Sequence, residues 1–138
     1  MIKGIEVYLV TDGNGQEAVE FYKGVLGAEL ASLTLWGDAI PDVAEEHKDL
    51  VLNAQLVVDG IRLQISDESP EYTYNPGRNV VPTLIVDSAE AAQKLYDALK
   101  EEAQEVTLEL QETFWSPAYA NLIDKYGINW QISAEVEA

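Results

Sequence analysis

The sequence predicts an α+β fold made of two copies of one βαβββ unit, and three observations carry that reading. Gly60-Ile61-Arg62-Leu63-Gln64-Ile65-Ser66 and Gly127-Ile128-Asn129-Trp130-Gln131-Ile132-Ser133 agree at five of seven positions. Leu9-Val10-Thr11-Asp12, leading to Phe21-Tyr22 and Leu26, is matched by Leu84-Ile85-Val86-Asp87, leading to Leu95-Tyr96 and Leu99. The offsets are 75 residues from Asp12 to Asp87, 74 from Tyr22 to Tyr96 and 67 from Gln64 to Gln131. A near-constant offset of that length is too long for a solenoid repeat and points to a duplicated pair of units. Module one runs over about 1–67, a linker over 68–79 and module two over about 80–138, within a single domain of 138 residues.

Each element has its own signal. Ile5, Val7 and Leu9 alternate with Glu6 and Tyr8 as a strand does, and Asp12-Gly13-Asn14-Gly15 breaks the pattern. From Gln16 to Leu26 the apolar set Ala18, Val19, Tyr22, Val25, Leu26 falls at helical spacing, with Gly27 as terminator. Strand-like runs follow over Glu29 to Trp36, Leu50 to Val58 and Ile61 to Asp67, the last two joined by the hairpin dipeptide Asp59-Gly60. The second copy repeats the plan. Val80 to Val86 reads as strand, and Asp87 with Glu90 resembles a capping box. Ala91, Ala92, Leu95, Tyr96, Leu99 and Ala103 form the helical stripe, and strands are expected over Glu105 to Glu112, Ser116 to Asp124 and Ile128 to Ala134. Gly37 to Asp49 and Glu68 to Pro82 read as long irregular loops.

Composition narrows the function. Eight Lys and Arg against twenty-five Asp and Glu give a net charge of −17, a field that repels phosphate backbones and anionic headgroups, so neither nucleic acid nor membrane is an expected partner. With no Cys there is no thiolate nucleophile, and with His47 as the single His no multi-histidine site forms within one chain. His47 lies between Glu46 and Lys48 in a charged loop, which suits an exposed residue. Asp12-Gly13-Asn14-Gly15 lacks the spacing of a dinucleotide loop and the lysine of a phosphate loop. The N-terminal stretch carries no signal-type apolar region, and the expectation is a cytoplasmic protein.

Strand alternation places Ile61, Leu63 and Ile65 on one face and Arg62, Gln64 and Ser66 on the other; likewise Ile128, Trp130 and Ile132 oppose Asn129, Gln131 and Ser133. One helix per unit can cover the apolar face. The polar faces either meet solvent or line a shared cavity, and the neutral amides Gln64 and Gln131 at equivalent positions favour a cavity in a chain otherwise rich in carboxylates. Arg62 either anchors an anionic group or pairs with a nearby carboxylate. Trp115, Tyr119 and Trp36 either wall an apolar cavity or pack in a core or dimer interface.

The segments Tyr8-Leu9-Val10-Thr11-Asp12, Phe21-Tyr22-Lys23-Gly24-Val25-Leu26-Gly27, Asn53-Ala54-Gln55-Leu56, Glu112-Thr113-Phe114-Trp115 and Asp124-Lys125-Tyr126-Gly127-Ile128-Asn129-Trp130 together resemble the vicinal oxygen chelate (glyoxalase, bleomycin resistance and dioxygenase) superfamily, in its PhnB-like branch. The resemblance implies paired βαβββ modules whose mixed sheets curve around a cavity, commonly in a homodimer. It also implies that metal-dependent members draw ligands from the first and last strand of each module. Those positions correspond to Ile5, Gln64, Val80 and Gln131, none of them an ionisable ligand, and Asn53 stands where many relatives place a His. The expectation is therefore no metal, no cofactor, and a small-molecule ligand contacted by Asn53, Arg62, Gln64, Trp115, Tyr119, Asn129 and Gln131 in a homodimeric protein. Two alternatives stay open: a metal-dependent lyase, isomerase or dioxygenase of the same superfamily, and a protein-association domain with a vestigial cavity.

Overall fold

The computed structural model describes residues 1–137. The chain divides into two compact units, Met1–Asn75 and the part from Pro76 onward, a division that falls inside the 68–79 segment. The first unit contains β1 (Tyr8–Thr11), α1 (Gly15–Leu26), β2 (Glu29–Leu35), a four-residue helix α2 (Trp36–Ala39), a 3-10 turn at Glu45–His47, β3 (Val51–Val58) and β4 (Ile61–Asp67). The second contains β5 (Thr83–Val86), α3 (Ala89–Lys100), β6 (Glu105–Gln111), β7 (Tyr119–Ile123) and β8 (Asn129–Ala134). The sheets are ordered β1-β4-β3-β2 and β5-β8-β7-β6, with β1 parallel to β4, β5 parallel to β8 and the other pairs antiparallel. This is the α+β architecture of paired βαβββ units.

The sequence repeat is a repeat of register. Tyr8 lies opposite Gln64 and Thr83 opposite Gln131, so the offsets between first strands and between last strands are those of the matched motifs. In each unit a helix covers one sheet face. Helix α1 buries Ala18, Val19 and Tyr22 over Leu9, Ala54, Leu56 and Ile65, and α3 buries Ala92, Tyr96 and Leu99 over Ala120, Leu122, Trp130 and Ile132. Burial of the Val, Leu and Ile side chains among these supplies about 1.5–3 kcal/mol each.

Some boundaries differ from the sequence reading. The first strand of each unit starts later than the apolar alternation suggests, leaving Ile5 and Val80 in the irregular segments before β1 and β5, 91% and 78% exposed. A four-residue parallel ladder needs a facing partner, and alternation alone does not supply one. The cap of α3 is Ser88 rather than Asp87: its Oγ accepts the Ala91 N–H at 3.1 Å. Asp and Ser are both good caps, and the one at the turn to extended backbone takes the role. Ala103 lies beyond the end of α3. The segment 37–49 is more ordered than its composition suggests, because the Trp36 and Gly37 N–H groups bond the Leu50 and Lys48 carbonyls and prolong the β2–β3 hairpin.

The turn chemistry follows the sequence. Asp59 and Gly60 both have left-handed φ, 49° and 78°, as a two-residue type I′ hairpin requires. Gly27 closes α1 at φ 64°. Asp124 organises the turn before β8: its Oδ1 accepts the Tyr126 and Ile128 N–H groups at 2.8 and 3.1 Å, and its Oδ2 accepts the Trp130 indole N–H at 2.8 Å.

The start of α1 is capped from a distance. Asn14 makes no side-chain cap, and instead the buried carboxylate of Asp67, at the end of β4, accepts the Gly15 N–H at 2.9 Å, the Thr11 hydroxyl at 2.7 Å and the Val51 N–H at 2.8 Å. A Cβ on residue 15 would lie 2.6 Å from Asp67 Oδ2, so only glycine admits this approach. Asp67→Ala orphans three buried donors and should cost about 2–4 kcal/mol, read as a lowered urea midpoint. Gly15→Ala should cost about 1–3 kcal/mol through the same clash. A loss under about 1 kcal/mol in both variants contradicts this role for Asp67.

Candidate functional site

Residues paired in register project from the same sheet face, so the pairing defines a row across each sheet opposite the helix. In the first unit the row is Tyr8, Gln64, Gln55 and Ser32, on β1, β4, β3 and β2. In the second it is Thr83, Gln131, Asn121 and Leu108, on β5, β8, β7 and β6. Gln64 and Gln131 hold the same place in both rows, on the strand that pairs with the parallel edge strand.

The first row is tied into a hydrogen-bonded network. Asn53 Nδ2 donates to Gln64 Oε1 at 3.0 Å and to Tyr8 Oη at 2.9 Å, while Gln55 Nε2 donates to Asn53 Oδ1 at 3.2 Å. Gln64 is 6% exposed despite facing away from the helix, and its Nε2 donates to Glu6 Oε2 at 3.3 Å. Arg62 directs its guanidinium at the same carboxylate: Nε donates to Glu6 Oε1 at 2.7 Å and Nη2 to Oε2. That hydrogen bond from Arg62 holds the Glu6 carboxyl below its ordinary range, and Glu6 raises Arg62 above its own. The Arg62 charge is thus paired with Glu6, a residue the sequence reading did not single out; only its alternation with Ile5 and Val7 could have suggested a place near the polar face.

In the second unit Gln131 Oε1 accepts the Thr83 hydroxyl at 3.2 Å, and Asn129 Nδ2 donates to the Arg78 carbonyl at 3.3 Å. Tyr119 shares the face of Asn121, and its ring meets Trp115 edge-on at 5.2 Å between centroids, with Phe114 beyond at 4.7 Å. Phe114 is 97% exposed and Trp115 53%. The loop carrying them is pinned by Thr113, whose N–H bonds the Ser116 carbonyl, and by Ser116, whose hydroxyl donates to the Ala134 carbonyl at 2.7 Å. Asn121 is a further polar residue the sequence reading passed over: its Oδ1 is buried and accepts no hydrogen bond. Alternation of Tyr119, Asn121 and Ile123 with the core residues Ala120 and Leu122 was the available signal. Trp36 stands apart from these faces, near His47 at 6.4 Å.

The first-strand residues that face Gln64 and Gln131 in register are Tyr8 and Thr83, while Ile5 and Val80 lie in the irregular segments before β1 and β5. Tyr8 with Gln64 in the first unit, and Thr83 with Gln131 in the second, each supply one hydroxyl and one neutral amide whose oxygen already accepts a hydrogen bond, and no carboxylate or imidazole. Among the described residues no three His, Cys, Asp or Glu side chains are gathered as a metal site. A divalent cation needs anionic or strongly basic donors, so neither pair fits one.

The fold agrees with that of known proteins. The chain belongs to the Glyoxalase/Bleomycin resistance protein/Dioxygenase superfamily, whose model matches residues 4–132. It is similar to Protein YjdN of Escherichia coli (strain K12), 26% identical over 141 residues spanning 91% of each chain. The crystal structure of protein PA1353 from Pseudomonas aeruginosa superimposes with a TM-score of 0.87 at 32% identity, covering 97% of this chain and 100% of that one. The PhnB protein of Bacillus cereus, at 20% identity, TM-score 0.76 and coverage of 96% and 100%, shares the fold. No helix of the described residues is long and apolar enough to cross a membrane.

Protein purified without chelator should carry well under one Zn, Mn, Ni or Fe per chain by elemental analysis. Added Mn2+, Ni2+ or Zn2+ should shift Tm no more than Mg2+ at equal ionic strength, since a specific ion stabilises by mass action and a screening ion does not. One tightly held metal per chain contradicts the donor-set argument.

Proposed function

We propose that this protein binds a small organic molecule on its polar sheet faces and holds it by hydrogen bonds, without a catalytic metal and without a cofactor. The observation that carries the reading is the pair of neutral glutamines, Gln64 and Gln131, at equivalent register positions. An amide offers a donor and an acceptor but neither a base for proton abstraction nor charge for a divalent ion. The proposed contacts are Asn53, Arg62 and Gln64 on the face of the first unit, and Asn129, Gln131, Trp115 and Tyr119 on that of the second, each face taken by itself. A few polar anchors among aromatic surface suit a neutral or monoanionic ligand with an apolar body.

Tryptophan fluorescence reports occupancy in a screen of small carboxylates, quinones and aromatic antibiotics. For an anionic hit, Arg62→Ala should weaken binding about tenfold, the scale of one lost charged hydrogen bond, and weaken a neutral hit far less. Gln131→Ala should weaken both. Hits that bind unchanged to both variants contradict the reading.

The exposed Phe114, Trp115 and Ile85 favour a second association role, and we propose that the partner is another copy of this chain. The −17 charge opposes self-association, so the contact is apolar and little affected by salt beyond screening. Sedimentation at micromolar concentration should give twice the chain mass, and a monomer there contradicts the dimer.

A further inference from the structure

We propose that Glu6 is a tethered stand-in for the ligand's anionic group: it occupies the Arg62 and Gln64 donors in the empty protein and is displaced when a carboxylate binds. This rests on the proposed binding function and names its ligand class as a monocarboxylate. The two Glu6 oxygens take the arrangement a bound carboxylate would take, one against Arg62 Nε at 2.7 Å and the other shared by Arg62 Nη2 and by Gln64 Nε2 at 3.3 Å. The guanidinium fork is a general receptor for planar carboxylates, and the adjoining amide adds a third donor. This is a receptor geometry already filled, from within the chain, by the chemistry it selects.

Two further observations make Glu6 a displaceable occupant rather than a fixed strut. It lies before β1, one residue from Val7, whose carbonyl accepts the Gln64 N–H at 3.4 Å, whereas Arg62 and Gln64 are held within β4. Its side chain keeps 36% exposure and that of Arg62 43%, and ion pairs so open to water contribute little to folding. The backbone of the occupant lies before the strand, and that of the receptor lies within one. Tyr8, opposite Gln64 and 49% exposed, offers a ring beside the fork on which the apolar body of a ligand can rest. In a chain of net charge −17 the same contact has a selective effect: an anion must outcompete a local carboxylate as well as the general field, so weak or indiscriminate anions are excluded.

The test uses benzoate as the carboxylate probe and benzamide as its neutral counterpart, titrated into the full chain while NMR follows the Arg62 Nε–H and the Gln64 side-chain amide. Glu6→Gln removes the competing charge; Glu20→Gln makes the same charge change on the exposed surface of α1 as control. Glu6→Gln should tighten benzoate about two- to fivefold, the scale on which an exposed ion pair competes, and leave benzamide unchanged. Glu20→Gln should change neither. Arg62→Ala should abolish the benzoate gain produced by Glu6→Gln. An unchanged or weakened benzoate affinity in Glu6→Gln, with Arg62→Ala still weakening binding, overturns the stand-in role and leaves the binding function intact. No benzoate response at Arg62 or Gln64 in either the native chain or Glu6→Gln overturns both.

Discussion

The buried carboxylate of Asp67 is the constraint on which the first unit is assembled. One side chain at the end of β4 receives hydrogen bonds from the end of β1, the first residue of α1 and the first residue of β3. Three elements are thereby fixed to one point. Their convergence dictates a glycine at position 15, sets where the helix starts and locks the parallel β1–β4 register. Because Tyr8 faces Gln64 only in that register, a carboxylate on the core side determines which side chains meet on the opposite face. The second unit reaches the same topology differently, with Ser88 capping α3 and Asp124 shaping the turn into β8.

Much of this was legible in the sequence because local and global signals coincide. The hairpin at Asp59-Gly60, the terminator Gly27 and the apolar stripes of α1 and α3 each depend on short-range geometry, and the repeat around Gln64 and Gln131 carried the register into both halves. Alternation predicts first strands that start too early, because it continues through Ile5 ahead of the β1 ladder. Asp67 read only as the last residue of a strand, since its three donors lie 16 to 56 residues away. Glu6 and Asn121 escaped notice for the same reason: a partner for one and the lack of a partner for the other appear only when strands are laid side by side.

Within the superfamily to which this chain belongs, the polar faces are informative for the chemistry they omit. Replacing ionisable groups by amides and hydroxyls at the paired first-strand and last-strand positions keeps hydrogen-bonding capacity while removing the basicity and charge on which metal-assisted proton transfer relies. What is left are amide and hydroxyl donors and acceptors and one arginine already engaged with a carboxylate. Recognition, rather than turnover, is the activity proposed for such a surface.

Native mass spectrometry of the protein purified from its own host without chelator tests that claim most directly. The account predicts a retained organic adduct of small-molecule mass, lost on gentle activation and absent from denatured protein, with no metal in the folded ion. A folded ion carrying a stoichiometric divalent metal, or one that remains free of any small molecule, contradicts it.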